Sequence, residues 1–208
     1  MSTRIYKAKE SIVFRKTTEP FGGLSNMASG YALYINEIIV PSSEHLYQAM
    51  RYPTHPEIQF EIISQDNAMK AKMISNKYKS HYSRPDWDKI QIKVMRWALE
   101  IKLAQNWDKF SAILKETQNK PIVEYANDNK IWGAKPINDT ELHGVNALGR
   151  LLMEIREKYI NREERIFCVF PPNIPAFLLY NNPIDIICDD NILDFQKNDL
   201  YHEDLDLV

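Results

Sequence analysis

The sequence predicts an α+β fold, a mainly helical single domain with a small antiparallel sheet near the N-terminus. A chain of 208 residues with 44% hydrophobic residues fits one domain, or one domain with an appendage, and can bury a substantial core. Between Trp87 and Ile101, apolar residues recur at helical spacing, whereas residues 31–40 are rich in β-branched and aromatic side chains. Helices should therefore dominate, with strands mostly in the first forty residues.

The first predicted elements are strands. Residues 12–14, with the sequence Ile-Val-Phe, indicate a short strand flanked by charged residues. Residues 31–35 and 38–40 indicate a hairpin that turns at Asn36-Glu37. These three segments supply the predicted antiparallel sheet.

A helix should begin just after this hairpin. Ser42 or Ser43 can accept a hydrogen bond from a first-turn amide, and Pro41 lies just outside the helix, where its missing N–H has no cost. The helix should end near Tyr52-Pro53, because proline disfavours a helical conformation at the preceding residue. Its apolar face contains Leu46, Ala49 and Met50, and its opposite face contains Glu44, Gln48 and Arg51.

Glu44 is the most informative residue of that polar face. A carboxylate in a first helical turn is held ionised by the helix dipole and by free amides. This placement suits an anion that lies near a developing positive charge or that orients a water molecule. The alternative is an acidic residue on a solvated helix face, which is a common arrangement.

Helical segments are also predicted at about 56–78, from Trp87 onward, at 107–116 and after Asn146, and short strands at 122–124 and 167–170. In the first of these helical segments, we expect Met69, Met73 and Ala68 to form the apolar stripe. In the last helix, the residues expected to pack inward are Leu148, Leu151, Leu152 and Ile155.

The net charge of −2 hides an asymmetry along the chain. Residues 181–208 hold eight acidic residues and one lysine, a net charge of −7, which leaves +5 for residues 1–180. A mildly basic body suits a phosphate-bearing ligand, and it lacks the strongly basic character of a dedicated duplex-DNA binder. The tail suggests a separate hypothesis, an interaction protein whose acidic residues mimic nucleic acid.

Composition also bears on location and on metals. No apolar run approaches membrane-spanning length, so no membrane association is expected, and the first residues lack the apolar block of a secretory signal. We therefore expect a cytoplasmic protein in which Cys168 and Cys188 are free thiols. The five histidines are scattered without zinc-ligand spacing, and no metal site is expected.

The six glycines form two clusters, at 22–30 and at 133–149, where the backbone must turn tightly or approach something closely. Beside the first cluster, Asn26 could orient a ribose hydroxyl or a base amide, although asparagine beside glycine more often stabilises a turn. In the second cluster, Trp132 could stack on a planar ring and Gly133 could allow its close approach.

Several of these runs together resemble the signature of the NADAR (YbiA-like) family. They are FGGLSNM at 21–27, SEHLYQA at 43–49, the tryptophan helix at 87–102, Trp132-Gly133, and GVNALGRLLMEIR at 144–156. The resemblance covers about residues 12–160. It implies a YbiA-like domain over residues 1–160, followed by a C-terminal extension over 161–208 that is acidic from about 181 and partly ordered.

The resemblance also implies an activity. Members of the family are N-glycosidases that act on ribose-linked amines or bases, including ADP-ribose on guanine and phosphorylated riboflavin-pathway intermediates. No metal or redox cofactor is implied. The expected partners are an ADP-ribosylated guanine in single-stranded nucleic acid or as a nucleotide, or a phosphoribosyl small molecule, together with a cognate ADP-ribosyltransferase.

Residue roles follow by position. Glu44 would be the water-activating base or the electrostatic stabiliser of an oxocarbenium-like state, and Asp128 would be a second, weaker carboxylate. The expected substrate contacts are Gly23, Asn26, Gln48, Arg51, Trp87, Trp132, Gly133 and Asn146. Asn146 is also a candidate helix N-cap, and exposed amides at that helix start could instead bind a phosphate.

Two positions depart from the family pattern. The family usually has an aspartate three residues before the Trp-Gly pair, where this chain has Asn129, and it often has lysine where this chain has Arg51. Arginine can hold phosphate, but it cannot form an imine. The alternative function is therefore a non-catalytic module that binds ADP-ribose or a nucleotide.

Overall fold

The computed structural model describes residues 1–127 and 131–189. The chain divides into two compact units, each built from two separate stretches. The first unit is Met1–Ser29 with Trp107–Arg165, and the second is Gly30–Asn106 with the described part of Ile166–Val208. The predicted division at residue 160 is a statement about family resemblance and stays a prediction.

The first unit contains two small sheets and two α-helices. Strand β1 (Arg4–Lys7) pairs antiparallel with β7 (Glu141–Gly144), which pairs antiparallel with β6 (Ala134–Pro136). Strands β2 (Ile12–Phe14) and β5 (Ile122–Glu124) form a separate parallel pair. Tyr6, Val123, Ala134 and Leu142 form a buried cluster between these strands. The two α-helices are α5 Trp107–Glu116 and α6 Ala147–Ile155, and α6 is followed by a π-helical turn, Arg156–Ile160.

The second unit contains the longer helices and three short antiparallel strand pairs. They are β3 (Leu33–Ile35) with β4 (Ile38–Val40), β8 (Cys168–Val169) with β11 (Ile187–Cys188), and β9 (Leu178–Leu179) with β10 (Asn182–Pro183). Helix α1 (Ser43–Ala49) packs against α2 (Pro56–Ile63), α3 (Ala68–Tyr82) and α4 (Trp87–Gln105). Helix α4 also packs against β3, β8 and β11.

The α+β class and the main local elements are confirmed. The hairpin turns at Asn36 and Glu37, whose φ angles of 48° and 63° give the left-handed turn that suits the twist of a two-residue hairpin. The apolar stripe of α4 is buried through Trp87, Ile90, Val94 and Trp97, as its spacing predicts. Leu148, Leu151, Leu152 and Ile155 of α6 are each exposed by no more than 1%.

Two expectations about local structure are wrong. Strand β2 pairs parallel with β5, so it does not extend an antiparallel sheet from the first forty residues. In α3, Met69 and Met73 are 58% and 65% exposed, and the buried positions are Ala68, Ala71 and Ser75. Small side chains face the core there because α3 packs closely against α1 and α2.

The free-thiol expectation is also wrong. Cys168 and Cys188 form a disulfide that joins β8 to β11, where the two residues are direct cross-strand partners. None of the helices in the described ranges combines the length and apolar character that crossing a bilayer requires.

Candidate active site

The start of α1 is fixed by a pair of reciprocal contacts. The Ser42 hydroxyl accepts a hydrogen bond from the backbone N–H of His45 at 3.5 Å, and it lies 2.8 Å from the His45 ring Nδ1. On the other side of the ring, Nε2 lies 3.1 Å from the carbonyl oxygen of Gln65. A carbonyl can only accept, so Nε2 carries the proton and Nδ1 accepts from Ser42.

Glu44 lies in the first turn of this helix and is buried, with 4% of its surface exposed. The side-chain amide of Gln48 donates to its Oε1 at 2.8 Å, across one helical turn. The alternative of a solvated helix face is therefore wrong. Every residue of α1 is buried, because other helices pack around it.

Arg51 and Trp87 meet although 35 residues lie between them in the sequence. The guanidinium carbon of Arg51 is 4.8 Å from the centroid of the Trp87 ring, within the range of a cation–π interaction. On α1, Tyr47 packs against the same indole with a ring-centroid distance of 4.9 Å. Arg51 and Trp87 are 7% and 4% exposed, so this contact is screened little by solvent.

In the sequence, Tyr47 lies between the acidic Glu44 and the basic Arg51. Its hydroxyl donates to Gln91 Oε1 of α4 at 3.3 Å. Burial raises the pKa of the Tyr47 phenol well above its usual value, the Arg51 charge opposes this shift, and the Glu44 charge adds to it. Tyr47 is therefore a neutral group at physiological pH, able to donate one hydrogen bond and accept others.

Glu44, Tyr47, Gln48, Arg51 and Trp87 form what we call the α1/α4 cluster. Several of its buried polar atoms meet no hydrogen-bond geometry with any group in the described part of the chain: Gln48 Oε1, Arg51 Nε and Trp87 Nε1, with Ser43 Oγ beside them. Arg51 and Trp87 both lie close enough to the Tyr47 oxygen to oppose the rise of its pKa. Two buried donors and an acceptor can thus receive a polar ligand next to a carboxylate.

The remaining described candidates belong to the first unit. Gly133 allows close approach, and what comes close is the chain itself, since a Cβ at this position would lie 2.6 Å from the Glu124 carbonyl oxygen. Trp132 is half-buried, and its carbonyl accepts from the Leu148 amide at 3.0 Å. Asn26 is 8% exposed and follows the short 3₁₀ helix Gly22–Leu24, which contains Gly23.

Asn146 occupies the N-cap position of α6, but its side chain does not cap the helix. It adopts a left-handed conformation with φ 51°, and its side chain makes no capping hydrogen bond. Instead, its amide nitrogen donates to the Ile122 carbonyl at 2.8 Å, and its oxygen accepts from the Glu124 N–H at 3.1 Å. This side chain, fully buried, ties the start of α6 to β5.

The expected phosphate site at the start of α6 is likewise wrong. The amides of Ala147 and Leu148 donate to the carbonyls of Ile131 and Trp132 at 2.9 and 3.0 Å. A phosphate would need these amides, and they already have partners. Asp128, the second predicted carboxylate, lies outside the described residues.

Comparison with known proteins identifies the family of this part of the chain. The model of the NADAR domain family matches residues 13–159, a span that includes all five residues of the α1/α4 cluster. The chain belongs to the NADAR domain family.

Its relatives carry informative names. The N-glycosidase YbiA of Escherichia coli is 30% identical over 147 residues, which is 71% of this chain and 87% of that protein. A riboflavin biosynthesis protein of Vibrio vulnificus is 29% identical over 150 residues, 72% of this chain, but the match spans only 39% of that longer protein. The NMR structure of E. coli YbiA has a TM-score of 0.61 and 26% identity, covering 74% of this chain and 88% of that one.

These findings confirm the predicted YbiA-like α+β fold and place the NADAR chain among the N-glycosidases. Sequence reasoning missed Tyr47 as part of the site. A usable signal was present, because Tyr47 is three residues after Glu44 and four before Arg51 and therefore lies on the same helix face. Gln91 gave no comparable signal, since only the packing of α4 on α1 brings it to Tyr47.

Proposed function

We propose that the chain hydrolyses the N-glycosidic bond at ribose C1′ of an ADP-ribosylated guanine, and that Glu44 is the catalytic carboxylate. A water oxygen bonds to C1′, the C1′–N bond breaks, and the departing nitrogen takes up a proton. A phosphoribosyl amine of the riboflavin pathway is the second substrate class, because a relative bears that pathway's name.

The buried Glu44 carboxylate carries the proposal. As the C1′–N bond breaks, the ribose gains positive charge, and a nearby anion stabilises that state more strongly in a water-poor site. The hydrogen bond from Gln48 at 2.8 Å fixes how the carboxylate points. Such fixed orientation is what either role requires, whether Glu44 accepts the proton of the attacking water or faces the sugar carbon.

Arg51 and Trp87 would form the substrate-binding side of the cluster. Each buries a nitrogen donor that meets no acceptor in hydrogen-bond geometry among the described residues. Ribose hydroxyl and phosphate oxygens are suitable acceptors, and a charge-assisted bond from arginine is about twice as strong as a neutral one. The Arg51 side chain already lies 4.8 Å from the indole centroid, so little rotamer freedom would be lost on binding.

The other sequence-based assignments stay proposals: a supporting acid role for Asp128, ribose contact by Asn26 beside Gly23, and ring stacking by Trp132. The net charge of +5 over residues 1–180 supports a phosphate-bearing substrate. The guanine would be presented in single-stranded nucleic acid or as a nucleotide, and an ADP-ribosyltransferase would be the class of enzyme that supplies it.

Substituting Glu44 by glutamine tests this proposal. Glu44→Gln keeps the shape and removes the charge, so kcat/KM for an ADP-ribosylated guanine oligonucleotide should fall by about 10²–10⁴-fold. Free ADP-ribose and unmodified guanine are followed by mass spectrometry, and a phosphoribosyl amine is assayed in parallel to separate the two substrate classes.

The matched control is Glu57→Gln. The side chain of Glu57 is 68% exposed and pairs with His55 on the surface, so its loss should leave turnover unchanged. Full activity in Glu44→Gln would refute the catalytic role. Tight binding of ADP-ribose by the wild-type chain with no product from either substrate would favour the binding-module alternative, which the guanidinium at Arg51 motivates.

A further inference from the structure

The segment Pro175–Tyr180, which we call the clasp, lies beyond residue 159, where the family match ends. It belongs to the second unit, together with the α1/α4 cluster. The clasp runs into β9, and two anchoring side chains, Arg84 and Gln59, bind its backbone from different directions.

Arg84 connects the clasp to the two substrate-binding residues. Its guanidinium donates to the carbonyls of Pro175 and Ala176 at 2.7 and 3.4 Å. Its backbone N–H donates to the carbonyl of Arg51 at 3.0 Å, and its carbonyl accepts from the N–H of Trp87 at 3.2 Å. One residue thus bonds to the clasp, to Arg51 and to the first residue of α4.

The same guanidinium also forms a forked ion pair with Asp86, with N–O distances of 2.6 and 3.0 Å. Only 7% of the Arg84 side chain is exposed, so this pair is poorly screened on the arginine side. The ion pair holds the pKa of Asp86 below its usual value, which agrees with a carboxylate that is fixed rather than solvated. Asp86 directly precedes Trp87, so the fork also sets how α4 begins.

Gln59 supplies the second connection. Its side chain is fully buried, and its amide nitrogen donates to the carbonyls of Leu178 and Ala49 at 2.9 and 3.3 Å. Its oxygen accepts from the Tyr180 N–H at 2.7 Å. Between these anchors, Phe177 packs edge-on against Trp97 of α4 with a ring-centroid distance of 4.9 Å. Gln59 therefore links the clasp to the last residue of α1, and Arg84 links it to the first residue of α4.

We propose that the clasp positions Arg51 and Trp87 for substrate binding, acting through Arg84. This inference rests on the proposed function and deepens it, because it makes part of the C-terminal extension a component of the site. Arg84 is a positioning residue that does not touch the substrate. Its fork binds two carbonyls and a carboxylate at once, which a lysine ammonium cannot reproduce.

Arg84→Lys tests the proposal, because it keeps the charge opposite Asp86 and removes the fork. The matched control is Asn36→Gly, which removes two other hydrogen bonds to the extension, from Asn36 to Pro183 and from Asp185 to Asn36, while keeping the left-handed turn. We expect Arg84→Lys to raise KM about tenfold with kcat changed less than about threefold, and Asn36→Gly to leave KM unchanged even if it lowers Tm.

A second measurement needs no substrate and separates this proposal from the proposed activity. Hydrogen–deuterium exchange should accelerate in peptides covering residues 49–53 and 84–89 in Arg84→Lys, and remain unchanged there in Asn36→Gly. Unchanged exchange in Arg84→Lys would overturn the positioning role, as would equal KM increases in both variants. Absence of turnover in the wild-type chain would instead refute the proposed function, with exchange still deciding the role of the clasp.

Discussion

At the scale of single residues, the α1/α4 cluster is distinguished by burial rather than by unusual residue types. Gln48, Arg51 and Trp87 each bury a polar atom that has no partner among the described residues. An unpaired buried polar group costs about 1–3 kcal/mol, so several within one cluster need a compensating role. The proposed ligand binding would provide that role, because a bound polar group would satisfy these atoms.

His45, next to Glu44, gives the stability of the fold a pH dependence. Burial lowers the pKa of His45, with the hydrogen bond to the Gln65 carbonyl opposing this shift. Above about pH 6.5 the ring is neutral in both states and contributes no pH dependence. As pH falls below that value, the unfolded chain takes up a proton that the folded chain does not. Stability should then fall by up to about 1.4 kcal/mol per pH unit.

Urea unfolding of the wild type and of His45→Gln at pH 7.5 and 5.5 measures this effect. The loss of unfolding free energy between the two pH values should be smaller in His45→Gln. His81→Gln, at an exposed position on α3, should behave like the wild type. An equal loss in all three proteins would show that His45 does not contribute.

At the scale of elements, close contacts between backbones decide where the site residues lie. All of α1 is buried, which places Glu44 away from solvent although the spacing of its charged residues is typical of an exposed face. In the first unit, α6 approaches β5 so closely that a Cβ at Gly149 would clash with the Ile122 carbonyl oxygen. Asn146 bridges this same junction.

Substitutions at Asn146 separate its two contributions. Asn146→Gly removes both hydrogen bonds to β5 and should lower the unfolding free energy by about 2–4 kcal/mol. Asn146→Ala should cost about 1 kcal/mol more, because alanine at φ 51° adds left-handed strain that glycine avoids. Chemical denaturation of the two variants gives the comparison. Equal losses would exclude a backbone contribution, and no loss in either would exclude the bridge.

At the scale of the whole molecule, both compact units are discontinuous in sequence. The second stretch of the second unit begins at Ile166, directly after Arg165, the last residue of the first unit. Cys168 and Cys188 are 20 residues apart, and the chain between them includes the clasp. The disulfide therefore closes a loop around the segment that contacts Arg84 and Gln59.

Reduction of this disulfide should destabilise the fold. Closing a loop of this length lowers the conformational entropy of the unfolded chain. In the chain-entropy account of disulfides, this raises the unfolding free energy by about 3 kcal/mol. The urea midpoint of the wild type should fall on addition of dithiothreitol, whereas the double variant Cys168→Ser, Cys188→Ser should have the lower midpoint with or without reductant. Two reactive thiols in the denatured, unreduced wild type would contradict the pairing.

Local patterns in the sequence determined the elements of this protein. The hairpin at Asn36-Glu37, the capped start of α1, the stripe of α4 and the family motifs all depend on residues a few positions apart, where spacing and intrinsic preference act directly. The same patterns placed Glu44 and Gln48 on one helix, and the resemblance of the motifs to the NADAR family indicated an N-glycosidase.

The tertiary structure alone decided the contacts between distant residues. The parallel pairing of β2 with β5, the stacking of Arg51 on Trp87, the contact of Tyr47 with Gln91 and the anchoring of the clasp each join separate elements. Periodicity within one element shows which face is apolar, but it does not specify which surface packs against that face. Burial of Glu44 follows from that packing, and the proposed chemistry depends on it.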